Sequence, residues 1–233
     1  MLTLSDLKKE LRAKANPGKA KILQGFFKTG KGEYGAGDIF LGIIVPETRK
    51  IAEKYSTLEL AETVKLLHSK VHEERLASLL IMVNKFENGE KEEKEMIYKT
   101  YLKNTKNINN WDLVDLSAYK IAGDYLFDEP KTILYKLAKS KSVWERRIAI
   151  MATFNFIKNN KFRETLKIAK ILLRDKHDLI QKAVGWMLRE IGKRNFKTEE
   201  GFLNKYYKKM ARTMLRYAIE KFPERKRKRY LSG

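Results

Sequence analysis

The chain has 233 residues, 43% of them hydrophobic, enough to bury a core as one domain or one repeat array. Its 50 Lys and Arg against 29 Asp and Glu leave a formal net charge of +21. That surplus is larger than solubility requires and points to a polyanionic partner, nucleic acid ahead of an anionic membrane. The lack of cysteine excludes disulfides, thiolate catalysis and Cys-ligated metal or iron–sulfur centres. No run of 18 apolar residues and no signal-like N-terminus occur, so a soluble cytoplasmic protein is expected.

In chain order, leucines at helical spacing predict a helix from about Leu4 to Ala15, with Ser5 as a plausible cap and Pro17-Gly18 as its stop. The Gly-rich stretch from Lys28 to Asp38 lacks the Gly-Lys-Ser/Thr ending of a phosphate-binding loop and reads as a flexible, DNA-facing loop. Ile39 to Val45 is a short apolar run ending at Pro46, which can open a helix through Glu47, Thr48 and Arg49. The run resembles a strand, but no partner strand is offered to it. Beyond it, 3.6-residue periodicity predicts helices over Leu58–His68, His72–Lys85, Glu92–Leu102, Asp112–Phe127, Thr132–Lys139, Trp144–Asn159, Arg163–Leu173, Leu179–Arg194, Glu199–Met210 and Arg212–Phe222. The short polar connections between them have the lengths of helix hairpins. The basic tail from Glu224 to Arg229 reads as a solvated or frayed end. The expected architecture is an all-α solenoid of about six helix pairs, a single domain over 1–233.

Four positions recur at a nearly constant step. Arg75, Trp111, Arg147 and Lys182 are separated by 36, 36 and 35 residues, the period of stacked helix pairs. Asp115 and Trp186 lie one helical turn beyond Trp111 and Lys182. Equivalent positions of successive repeats project from one side, so two tryptophans, an aspartate and an arginine are expected on one face. Taken singly, each has an ordinary explanation: a helical tryptophan usually packs, Asp115 is a surface carboxylate, and Arg147 is a solvated or ion-paired residue. Asp112, near a helix N-terminus, reads as a cap or structural acid. His68 and His72 stand four apart, but Ser69 to Val71 looks like a turn and no third ligand is near, so no metal is expected.

The segments Asn110-Trp-Asp-Leu-Val-Asp115, Gly123-Asp124, Trp144-Glu-Arg-Arg147 and Gln181-Lys-Ala-Val-Gly-Trp-Met-Leu-Arg-Glu190, in that order, resemble the HEAT-like DNA alkylation repair glycosylases. Gly37 to Pro46 also looks like that family's N-terminal segment, and the likeness runs from about Tyr34 to Arg216. It implies a curved array of HEAT-like repeats with a basic concave face for duplex DNA. The implied activity is hydrolysis of the N-glycosidic bond of cationic alkylpurines such as 3-methyladenine and 7-methylguanine, without cofactor or metal. Carried over by motif, the catalytic aspartate falls on Asp115, its flanking tryptophan on Trp111, the second tryptophan on Trp186 and the family's arginine on Arg147. One departure is visible: a close relative pattern has two adjacent tryptophans before the first aspartate, and here the first is Asn110. Lys182, Arg189, Lys193 and Arg194 surround Trp186, and the first three with Arg147 are the candidate phosphate contacts. The expected partner is double-stranded DNA carrying alkylated bases, engaged by a monomer that contacts no membrane.

Overall fold

The computed structural model describes residues 2–232. Among these the regular structure is helical apart from one isolated parallel bridge between Ile39 and Val71. The chain divides into two compact units, Met1–Ser117 and Ala118–Gly233.

The first unit contains α1 (Leu4–Ala13), α2 (Pro17–Phe26), α3 (Val45–Lys54), α4 (Leu60–Leu67), α5 (His72–Asn88), α6 (Lys91–Lys103) and α7 (Trp111–Ser117). Helix α1 starts at Leu4 as expected, but its cap lies two residues before the expected one. Thr3, not Ser5, is the N-cap: its Oγ1 accepts from the Asp6 N–H at 3.2 Å, and Asp6 accepts in return from the Thr3 N–H at 3.1 Å. Helix α2, which no periodic pattern announced, opens with Asn16 accepting from Lys19 N–H and with Pro17 at its first position. Helix α5 is the centre of this unit. It packs against α1, α3, α4, α6 and α7, and buries Leu76, Ala77, Leu79, Leu80, Ile81, Met82 and Val83 on all sides.

The apolar run after the Gly-rich loop does find one partner, since Ile39 bridges to Val71 through bonds from Ile39 N–H to Lys70 and from His72 N–H back to Ile39. Past that bridge the chain folds onto a buried carboxylate. Glu73 accepts from the backbone N–H groups of Leu41, Gly42 and Ile43 at 2.9, 2.8 and 3.2 Å. Gly42 has φ of +85°, and a Cβ there would lie 2.2 Å from the Asn16 carbonyl oxygen, so only glycine fits.

The second unit contains α8 (Ala122–Tyr125), α9 (Thr132–Ala138), α10 (Val143–Lys158), α11 (Arg163–Ile171), α12 (Asp178–Arg194), α13 (Phe196–Tyr206), α14 (Arg212–Ala218) and α15 (Glu224–Ser232). The helix expected over 112–127 is thus two pieces, α7 and α8, separated by a turn at 118–121. Helix α10 packs against α8, α9, α11 and α12, and α12 in turn against α13 and α14. Gly185 makes the last contact possible: a Cβ there would sit 2.4 Å from the Met214 carbonyl oxygen and 2.5 Å from Cβ of Tyr217. The basic tail, expected to fray, is helix α15, held by Tyr230, which is buried and donates to Asn204 Oδ1 at 2.7 Å.

Candidate active site

Helix α7 carries two of the candidate residues. Trp111 is its first residue and Asp115 its fifth, so both side chains leave the same face one turn apart, each half-buried. Trp111 lies flat on Phe27 of the segment after α2, with centroids 5.0 Å apart and planes at 13°, and meets Phe26 edge-on at 5.7 Å. Phe27 stacks on Phe40, and Ala20 and Leu23 complete this apolar cluster. Phe26 itself is 62% exposed, which leaves an aromatic surface open beside Trp111. Behind α7, fully buried Tyr101 of α6 hydrogen-bonds Ser117 across 3.0 Å. Burial first, and the nearby charge of Asp115 besides, push its hydroxyl pKa upward.

The start of α7 is pinned by a buried ion network. Asp112 accepts from His72 Nε2 at 2.8 Å, and His72 Nδ1 lies 3.2 Å from Asp38 Oδ2. Asp38 also takes a bond from Arg75 at 2.7 Å, and Arg75 donates to the Ser69 carbonyl at 3.1 Å. His72, Asp38, Arg75 and Asp112 are all buried. A neutral imidazole has one N–H, so it can donate to only one of the two carboxylates; the imidazolium serves both. Burial alone would lower the His72 pKa, but the charge and hydrogen bond of Asp112, and then the bond to Asp38, outweigh it and lift the group to about 8. For Asp38, burial opposes ionisation, and the His72 bond and the Arg75 charge overcome it, holding the carboxyl below its usual range. Asn110 joins this network. It is fully buried, its Oδ1 accepts from Trp111 N–H at 2.8 Å and its amide donates to Asp38 at 3.5 Å. The asparagine that departs from the paired tryptophans is therefore a polar tie between the Asp38 loop and α7.

In the second unit the candidate residues gather on and beside α12. Lys182, Trp186, Arg189 and Lys193 follow one another by four, three and four residues, one stripe of a single helix. Arg147 of α10 is 5% exposed and its guanidinium donates to the Leu179 carbonyl in the first turn of α12. Trp186 is half-buried, donates through Nε1 to Glu190 at 3.2 Å and closes an aromatic row, with Phe154 at 6.3 Å and Tyr119 at 5.4 Å beyond it. The basic members of the stripe have carboxylate neighbours: Lys182 with Asp178 at 2.7 Å, Arg189 with Glu220, and Lys193 with Glu190 at 2.6 Å.

The constant step between the four sequence positions does not correspond to one place on four helices. Arg75 is the fourth residue of α5, Trp111 the first of α7, and Arg147 and Lys182 the fifth of α10 and α12. Arg75 corresponds instead to Arg146, the fourth residue of α10: each donates to a serine carbonyl six residues back, Ser69 and Ser140. Asp115, as a fifth residue, falls in register with Arg147 and Lys182. Sequence reasoning missed Phe26, Phe27, Tyr119 and Phe154, as well as the His72–Asp38–Arg75 network. The Phe-Phe pair before the Gly-rich loop was the one visible sign; the network joins residues too far apart in sequence to be paired by pattern. His68, at the end of α4, meets Asn104 across 2.7 Å and points to no shared ligand with His72. Among the described residues no group of three or more His, Cys, Asp or Glu side chains is arranged to hold a metal ion.

No helix among them is long and apolar enough to cross a membrane. Comparison with curated proteins finds no match. A solved structure described as a "Predicted DNA alkylation repair enzyme from Enterococcus faecalis" is similar in fold, with a TM-score of 0.69 and 17% identity over 90% of this chain and 97% of that one. The model of the DNA alkylation repair enzyme family matches residues 7–222. With that match spanning nearly the whole sequence, around the α7 and α12 residues just described, the chain belongs to the DNA alkylation repair enzyme family.

Proposed function

We propose that this protein is a monofunctional DNA glycosylase that hydrolyses the N-glycosidic bond of positively charged alkylpurines in duplex DNA. The observation that carries the reading is the pairing of Trp111 and Asp115 on one face of α7, next to the exposed ring of Phe26 and braced at the helix start by the buried network. A purine alkylated at N3 or N7 is cationic and leaves without protonation. The enzyme has then to stabilise the positive charge that develops on the deoxyribose and to place a water, and one carboxylate can do both. At an effective dielectric near 20, a carboxylate about 4 Å from that charge is worth roughly 4 kcal/mol. Half of that, gained only in the transition state, gives a rate enhancement on the order of thirtyfold. Ordinary glycosidases require an acid and a base; here the substrate supplies the acid's share. Indole faces attract cations and pack on sugar edges, which suits Trp111 to a place beside the damaged nucleotide. In the same proposal Trp186 is the second indole, and Arg147, Lys182, Arg189 and Lys193 meet phosphates. The helix pairs are taken as HEAT-like repeats presenting basic side chains to the duplex.

Base release from methylated duplex DNA by the native chain and by Asp115→Asn, with DNA binding followed in parallel, tests the reading. Release of 3-methyladenine or 7-methylguanine should fall at least thirtyfold in the variant while affinity stays within a few-fold. Binding without release by the native chain would assign the protein to non-catalytic DNA binders instead.

A further inference from the structure

We propose that the second unit carries a separate anion site, formed by the end of α13, the turn at 207–209 and α15, that takes the phosphodiester backbone of DNA. A cleft of about 450 Å³ is lined by Asn204, Lys205, Tyr207, Lys208, Lys209 and Arg229. Four of these six are cations and none is an acid. They are also unlike the basic residues of α12. Lys182, Arg189 and Lys193 each have a carboxylate neighbour, whereas Lys205, Lys208, Lys209 and Arg229 have none within 4.0 Å among the described residues. Aromatic rings hold three of them in place: Lys205 lies over Tyr206 at 5.6 Å, Lys208 over Tyr207 at 5.9 Å and Arg229 over Tyr230 at 5.8 Å.

The docking of α15 is the second observation. This helix bears Arg225, Lys226, Arg227, Lys228 and Arg229, yet it lies against a turn that is itself basic. Like charges resist such an approach, and the contacts that hold it include Tyr230, buried and bonded to Asn204; Lys226, paired with Glu200 at 2.6 Å; and Arg212, which donates to the Leu231 carbonyl. A solvated tail would scatter these charges. Docked, it brings Arg229 to the same cleft as the three lysines, where a multivalent anion relieves the repulsion. A lipid surface fits less well, because a membrane-lying helix exposes a broad apolar face. The ring of Tyr230 is turned inward, and no large apolar side chain lining the cleft is exposed. Successive phosphates of a nucleic-acid strand supply the required closely spaced negative charge.

This inference rests on duplex DNA being the ligand in the function proposed above, and not on which bond is broken. The test measures affinity of the full chain for undamaged duplex against salt concentration. In the variant Lys208→Ala/Lys209→Ala/Arg229→Ala, the slope of log affinity on log salt should flatten by about 2 to 3, because each lost phosphate contact removes ~0.9. The charge-preserving variant Lys208→Arg/Lys209→Arg/Arg229→Lys should keep the native slope. An unchanged slope in the alanine variant, with native thermal unfolding, overturns the site while leaving the Asp115 result standing. Loss of binding to phosphatidylserine vesicles without any change on DNA overturns it in favour of a lipid surface. A native chain with no salt-dependent DNA binding overturns both the site and the glycosylase reading.

Discussion

Around α7 in the first unit, charges are buried and pair with one another: His72 between Asp38 and Asp112, and Arg75 on Asp38. Along α12 in the second unit Lys182 pairs with Asp178 at the surface, and Lys193 reaches from the surface to the buried Glu190. The same kinds of side chain therefore do different work. Charges taken out of water hold geometry, because no solvent replaces a lost partner. Paired charges at the surface are worth little as stability, and in the proposed function they exchange a carboxylate for a phosphate. The first arrangement suits a helix that must present Asp115 and Trp111 in one orientation, and the second suits a face that trades partners.

The contrast can be broken most severely at Asp38. Asp38→Asn leaves Arg75 and His72 facing a neutral amide in a buried site, and chemical denaturation should show a loss of about 3–5 kcal/mol. A loss below about 1 kcal/mol would mean that the network is no more than a surface pair in a covered place.

The second unit also carries Glu199 of α13. It is buried, its Oε1 has no hydrogen-bond partner, and burial, only partly opposed by Arg189, raises its carboxyl pKa to about 9. A carboxyl with a raised pKa keeps its proton in the folded state, so its contribution falls as pH rises from about 4.5 to 9. Glu199→Gln removes that penalty and should stabilise the protein at pH 7 by up to about 3 kcal/mol, visible as a higher melting temperature whose advantage vanishes near pH 4.5.

The pH dependence contributed by His72 is smaller. Its folded pKa of about 8 exceeds the ordinary histidine value of 6.5, so the stability it contributes is complete below pH 6.5 and is lost as pH rises through about 8. That window corresponds to about 2 kcal/mol. Replacing His72 by Gln should flatten the stability profile between pH 6.5 and 8, and an unaltered profile would assign the slope to other groups. The smallest effect belongs to α12. Lys182→Ala should change stability by less than about 1 kcal/mol while weakening DNA binding at low salt.

Much of the fold was legible because helix formation is local. Apolar spacing located α4 to α6 and α9 to α14 to within a few residues, and the Pro46 signal placed the start of α3. Where local signals compete, the reading slipped. The periodicity over 112–127 is continuous, yet the helix breaks at 118–121, and a run of charges that looked solvated is a docked helix because one tyrosine, Tyr230, finds a buried place. For the candidate site, spacing alone put Trp111 and Asp115 on one face of a helix, and Lys182 with Trp186 on another. It mistook a constant step for equivalent positions, since helix starts shift by a few residues from one helix to another and the step does not record them.

By itself the sequence determined the helical class, the strong positive charge, the absence of thiol chemistry and the motifs that join this chain to its family, all properties of composition or of residues a few positions apart. Only the tertiary structure decided which polar groups are buried together. Asp38 meets Arg75 across 37 residues and His72 meets Asp112 across 40, and nothing in either local segment marks the pairing. Desolvation is a property of the surroundings, and the surroundings of a side chain are assembled by the packing of α5 against its neighbours rather than written beside it in the chain.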